Sequence, residues 1–231
     1  MIVIGDTHGK INDFINLIKR YKIENEVLIQ VGDFGVGFTL NPSLGDFNYF
    51  LMENNIYLYI LRGNHDDPKF FINQEEKSQL HYSNIEFLKD YSVLNIQNKK
   101  ILLIGGGISL DRQERKENVS WWSGENIVLD VDRLKGLSKE KFDVLITHVP
   151  CPGIFIDDDN YTLKYWTNID KSLNESLKIE KEKLLEIKSN IDYEYWISGH
   201  MHISNRISQN NKKYIILNEL EFLSIDRESN D

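Results

Sequence analysis

Five short segments of the chain gather aspartate, asparagine and histidine, four of them beside glycine. They are Gly5-Asp6-Thr7-His8-Gly9, Gly32-Asp33-Phe34-Gly35, Gly63-Asn64-His65-Asp66, Thr147-His148 and Ser198-Gly199-His200-Met201-His202. Five of the six histidines fall in them, and only His81 lies outside. The donors are oxygen and nitrogen with no thiolate, a set that suits a borderline or hard divalent ion. Asp6, His8, Asp33, Asn64, His148, His200 and His202 make seven candidates, more than one tetrahedral site needs. Two ions about 3.5–4 Å apart that share a carboxylate would use them all, polarise phosphoryl oxygens and generate hydroxide at neutral pH.

Each segment follows an apolar run. Val3-Ile4, Val27 to Val31, Ile56 to Leu61, Phe142 to Ile146 and Tyr193 to Ile197 read as buried strands. Helices are expected over 10–22, where Ile11, Phe14, Ile15 and Ile18 recur at helical spacing, and near Phe47 to Asn54. The first 65 residues therefore alternate strand and helix, which implies α/β packing with largely parallel pairing. In such sheets ligands bind beyond the carboxyl ends of the strands, so the five ends can converge. Asp6 and His8, like His200 and His202, are two apart, and an extended chain turns such pairs to one side. Further along, the pattern predicts a short helix at 70–77 and strands at 85–88, 93–96 and 101–104. It then predicts a polar insert at about 106–140, a long loop at about 149–169 and an amphipathic helix at 170–189. Strands at 203–208 and 214–217 flank Asn210-Asn211, a hairpin turn. With no repeat and no break in composition, residues 1–231 read as one domain.

Composition narrows the function classes. A chain of 231 residues can bury roughly 70–75% of its unfolded surface and needs no staples. A single cysteine, Cys151, excludes an internal disulfide framework and fits a reducing compartment. The start reads as a first strand rather than a signal peptide, and no run approaches a membrane span. The expected location is the cytoplasm. The formal charge of −9 argues against tight nucleic-acid binding. The expected partners are a phosphorylated small molecule or nucleotide, with the protein monomeric or weakly associating.

In order and content the five segments resemble the calcineurin-like metallophosphoesterase superfamily, whose blocks run Asp-x-His, Gly-Asp, Gly-Asn-His-Asp/Glu, a lone His and Gly-His-x-His. The resemblance spans residues 5–202. It implies a four-layer αββα sandwich with mixed sheets and two divalent ions at the sheet edge, manganese first, with iron, zinc, nickel or cobalt as alternatives. By position, Asp6, His8 and His202 would hold one ion, and Asn64, His148 and His200 the other, with Asp33 bridging. His65 matches the histidine that assists the leaving oxygen after a metal-bridging hydroxide attacks phosphorus in line. Asp66 falls where the family braces a loop.

The sequence departs from the protein Ser/Thr phosphatase branch, which has Asp and Arg where Val36 and Gly37 stand here. His65 is left without its orienting partner, and phosphate without that arginine. The segment from Gly105-Gly106-Gly107 through Ser109, Asp111, Arg112 and Arg115 to Trp121-Trp122 resembles one in small bacterial and phage members, so Arg112 or Arg115 is a candidate substrate grip. Arg62 reads as structural. Monoester and diester both stay open. The alternatives are a phosphodiesterase or nuclease acting on nucleotides or nucleic acid, and a non-catalytic scaffold on the same fold. Blander readings hold for the rest: Gly105 to Gly107 as a tight bend, Asp157-Asp158-Asp159 as a solvated acidic loop, Cys151 as a small packed residue, and Trp121-Trp122 as packing of the insert.

Overall fold

The structure is a computed structural model that describes residues 1–38, 43–72, 82–154 and 161–225. His81, the acidic run 157–159 and the second half of the helix expected at 70–77 lie outside the described residues. In chain order the first elements are β1 (Ile2–Ile4), α1 (Ile11–Tyr21), β2 (Val27–Gln30), α2 (Leu44–Glu53), β3 (Tyr57–Ile60), α3 (Lys69–Ile72), β4 (Ile85–Phe87), β5 (Ser92–Ile96) and β6 (Lys99–Ile104). A 3-10 turn at Arg112–Glu114 and α4 (Val131–Leu137) follow, then β7 (Lys141–Thr147), α5 (Tyr161–Ile169), α6 (Leu173–Asn190), β8 (Asp192–Ser198), β9 (Asn205–Gln209), β10 (Lys212–Ile216) and β11 (Phe222–Ser224).

The strands form two mixed sheets, ordered β11-β1-β2-β3-β4 and β5-β6-β7-β8-β10-β9. The apolar alternation of the strands explains how they stack. Ile4, Leu28, Leu58 and Ile60 face Phe14, Phe47 and Leu51 of the first two helices. Val3, Ile29, Val31, Ile101, Leu103 and Ile146 meet between the sheets. Leu102, Ile104 and Leu145 pack against Leu134 of α4 and Leu184 and Ile187 of α6. Each sheet is thus buried on both faces, and the layers run helix, sheet, sheet, helix, as the family resemblance implies. Strands β1, β2 and β3 are mutually parallel, as are β6, β7 and β8. Their carboxyl ends carry the five polar segments.

Two expectations need correction. The loop expected over 149–169 contains α5, whose start is hidden in the sequence by the Pro, Gly and Asp residues before it. The end of the chain adds β11, three residues on the edge of the first sheet, antiparallel to β1. So short a strand leaves little alternation to read. The hairpin turn is where the sequence puts it: Asn210 and Asn211 both have positive φ, 53° and 58°, and β9 pairs antiparallel to β10 across them.

Beneath the second sheet, Glu180 on α6 is buried, and its Oε1 has no hydrogen-bond partner among the described residues. Burial, with Glu125 adding to it and His148 and Lys183 opposing, pushes the carboxyl up to about 8. Folding therefore retains a proton that the unfolded chain releases near the ordinary value of 4.5. Stability from this group is full below that value and is lost as pH rises to about 8. Glu180→Gln removes the dependence. In chelator-treated protein, its melting temperature should exceed wild type at pH 8 by roughly 2–4 °C per kcal/mol, and the gain should vanish near pH 4.5.

Candidate metal centre

Backbone hydrogen bonds stitch the polar segments to one another. Thr7 and His8 donate to the Asp33 carbonyl at 3.0 and 2.8 Å, Gly199 donates to the His148 carbonyl at 3.1 Å, and Leu220 donates to the Asp6 carbonyl at 2.9 Å. Asp66, fully buried, ties two segments together. Its carboxylate accepts from Gly63 at 2.8 Å, Gly35 at 2.7 Å, Val36 at 3.1 Å and Phe34 at 3.3 Å. This is the loop brace expected of that position. Two glycines make close approach possible. A Cβ on Gly63 would lie 2.1 Å from Asp33 Oδ1, and one on Gly199 would lie 2.0 Å from Asp6 Oδ1.

The side chains converge, but not by the extended geometry that the i, i+2 spacing suggests. His8, Asp33, His200 and His202 have φ of 48°, 57°, 69° and 49°. Four of the seven candidates therefore sit in left-handed backbone, at about 1–2 kcal/mol per residue. Such strain survives where the surroundings over-determine it, and it clusters at functional sites.

Two groups of donor atoms result. One atom from each of Asp6, His8, Asp33 and His202 lies within 4.8 Å of the others, and so does one from each of Asp33, His148 and His200. Asp33 belongs to both. Asn64 joins the second group, its Oδ1 standing 2.9 Å from His148 Nε2 and 3.0 Å from His200 Nδ1. All seven candidates are thus brought together.

The charged groups of this cluster shift one another strongly. Burial raises the carboxyl of Asp6, while His202 opposes. Burial also acts against ionised Asp33, yet His148 and His65 hold it well below the carboxylate range. Burial likewise disfavours charged His148, but Asp33 pushes it up to about 9. His200 is pushed down to about 3 by burial and by His148. His148 Nδ1 lies 3.1 Å from the Val31 carbonyl and donates to it. In neutral His148 the lone pair of Nε2 would then face the lone pairs of Asn64 Oδ1. A proton between the two atoms, or a cation that both would ligate, would relieve that repulsion. Among the described residues, buried Asp6 Oδ1 also has no hydrogen-bond partner. The residues present fit divalent ions.

His65 sits above Asp33, its amide donating to Asp33 Oδ1 at 2.7 Å. Its Nε2 lies 2.8 Å from Arg115 Nη2. Arg115 is clamped by Asp111 through Nε at 2.7 Å and Nη2 at 2.8 Å, and donates to the Ser120 carbonyl at 3.1 Å. Arg115 is therefore the partner of the His65 ring that the sequence left unnamed. Burial, with Arg115 adding, lowers His65 to about 4. Arg112 is a correction. It leaves the site, binding Asp170 at 2.7 Å, Ser172 at 2.8 Å and Ser176 at 3.3 Å. Its guanidinium pins the start of α6. Arg62 is structural, as expected, bonding Asp90 and the carbonyls of Gly124, Glu125 and Asn126. Cys151 is buried, which pushes its thiol up to about 11 and leaves it inert. Trp122 is buried, edge-on to Phe38 at 4.9 Å, and packs the insert as expected.

A cavity of about 300 Å³ opens over the cluster. Its lining combines the polar Asp33, Asn64, His65 and Arg115 with the apolar Leu110, Met201 and Trp166 of α5. Two contributors escaped the sequence reading. Trp166 gave no signal, because α5 itself was unseen. Glu219 lies 3.5 Å from His202 Nδ1 and 4.0 Å from His8 Nε2, with Lys10 bound to it. It follows the apolar run 214–217, so looking past that strand end as past the other five would have found it.

A family model described as calcineurin-like phosphoesterase matches residues 1–204. No curated protein matches the chain. One solved structure is 17% identical, covering 98% of this chain and 95% of its own at a TM-score of 0.54. That likeness supports the fold. A novel archaeal phosphodiesterase is 13% identical, with 98% and 95% covered and a TM-score of 0.39. The phosphopantetheinyl hydrolase of Mycobacterium tuberculosis is 11% identical, with 94% and 89% covered and a TM-score of 0.44.

The Asp66 brace generates a direct test. In Asp66→Asn one carboxylate oxygen becomes an N–H donor facing backbone N–H groups. Urea unfolding in chelator should show a loss of about 2–4 kcal/mol. An unchanged midpoint would remove the brace from the account.

Proposed function

Because the chain belongs to the calcineurin-like phosphoesterase family, we propose that it hydrolyses a small phosphate ester with two divalent ions. The observation that carries this reading is the pair of donor groups sharing Asp33. Asp6, His8 and His202 would hold one ion, and Asn64, His148 and His200 the other. Manganese is the first choice for this oxygen and nitrogen set, with iron, zinc, nickel or cobalt as alternatives. Such ions, when bound, acidify water toward neutral pH and polarise phosphoryl oxygens.

The chain's own residues do the rest. Val31 and Glu219 take the far nitrogens of His148 and His202, which turns the other nitrogen of each ring inward. His65 lines the cavity, where it would assist the leaving oxygen, and Arg115 holds its ring through Nε2. Arg115 has most of its N–H groups committed to Asp111, Ser120 and His65, so it acts on substrate through His65 more than as a free clamp. Leu110, Met201 and Trp166 offer an apolar wall to the alcohol portion. A cavity of about 300 Å³ lies at the lower end for small-molecule sites. It suits a small ester or nucleotide better than a duplex. The acidic surface, at −9, favours the same choice. No described helix is long and apolar enough to cross a membrane.

The protein should be stripped with chelator, restored separately with manganese, nickel or zinc, and assayed on a chromogenic phosphate monoester and its diester. Activity should return with metal and stay absent in Asp33→Asn. His65→Ala should keep both ions and lose about 10²–10⁴ in turnover. Metal loss in His65→Ala equal to that in Asp33→Asn would refute this division of roles. A protein that binds no ion would leave the scaffold alternative standing.

A further inference from the structure

An asparagine can serve as a metal ligand only with its oxygen inward, and nothing intrinsic to the amide decides which end that is. The insert decides it. Asn64 Nδ2 donates to Ser109 Oγ at 3.1 Å, and Ser109 Oγ donates to Glu125 Oε2 at 2.6 Å. Glu125 Oε1 also accepts the Ser109 backbone N–H at 2.9 Å. Ser109 and Glu125 are each 1% exposed, and Asn64 3%, so water does not compete for these bonds. A hydroxyl has one proton. With that proton directed at the carboxylate, Ser109 can offer Asn64 only a lone pair. The NH₂ end must face Ser109, and Oδ1 must face His148 and His200.

Glu125 is itself held in place. Its carbonyl accepts from Arg62 Nη1 at 2.6 Å and from Gly107 at 3.0 Å. The chain of fixed polarity therefore starts in the structural core and ends at a donor atom of the second group.

We propose that Ser109 and Glu125 are positioning residues that set the polarity of the Asn64 amide and so complete the second metal-ion site. The proposal rests on the reading of Asn64, His148 and His200 as ligands. It gives the insert a task, because both positioning residues belong to it. Glu125→Gln keeps the shape and reverses the polarity. The glutamine oxygen must meet the Ser109 N–H, its NH₂ then donates to Ser109 Oγ, and the freed hydroxyl proton turns the amide of Asn64 around.

The test is calorimetric titration of chelator-stripped protein with Mn²⁺, with His148→Ala marking the event that belongs to the second site. Wild type should bind two ions. Glu125→Gln should lose about 10–100-fold in affinity at the second site and keep the first. A double-mutant cycle separates polarity from mere packing. Asn64→Asp places a carboxylate oxygen against the Ser109 lone pair in the native background, but against the Ser109 proton in Glu125→Gln. The double variant should therefore bind the second ion more tightly than either single variant. Should Glu125→Gln fail to fold, Ser109→Ala carries the test, with loss at the same site expected. Two ions bound with native affinity in Glu125→Gln or its substitute, or an Asn64→Asp effect equal in both backgrounds, overturns the positioning role and leaves the two-ion reading standing. Fewer than two ions in the wild type overturns both.

Discussion

The carboxylate of Asp33 is 1% exposed and held ionised, and an isolated buried carboxylate cannot persist. Much of the surrounding structure compensates for it. The His65 amide and the rings of His148, His65 and His8 all lie on it. Gly63 has no side chain to exclude it. The loop that carries it is tied to its neighbours by Asp66 from below and by Thr7 and His8 from the side. Positive φ at Asp33 is the conformational strain these contacts hold in place. A position that closes two donor groups at once leaves no freedom to either.

The two sheets supply the rigidity. Both are buried on two faces, so the strand ends have little room to shift, and the five segments emerge along one edge. The insert adds a wall that strands do not provide. Arg62 anchors it through the carbonyls of residues 124–126, and Arg112 joins its 3-10 turn to the start of α6. Two arginines near the donor cluster thus serve the scaffold, and a third, Arg115, serves a histidine ring.

Most of the site was legible because an apolar run ending in glycine and a donor is a strong local pattern. Strand ends, their order and all seven candidate donors follow from it. What the pattern hides is backbone conformation. The spacing of Asp6 with His8 and of His200 with His202 suggested extended pairs, whereas left-handed residues turn the side chains together. Orientation is hidden as well. Arg112 and Arg115 are three apart in one turn, yet only Arg115 reaches the cavity, because Asp170 and Ser172 capture the other. Helix α5 and strand β11 were missed for a related reason. One is short and follows a turn-rich stretch, the other spans three residues, and tertiary contacts decide both.

The pairing of β11 with β1 bears on how the protein is made. His8 and His202, 194 positions apart, belong to one donor group, and Leu220 closes on Asp6 only when the chain beyond β10 is in place. During vectorial synthesis, the first five strand–helix elements can collapse while that group still has no His202. Ordering it waits on loop closures of the longest range, which are slow to form. An ion arriving early would meet a first donor group that still lacks His202.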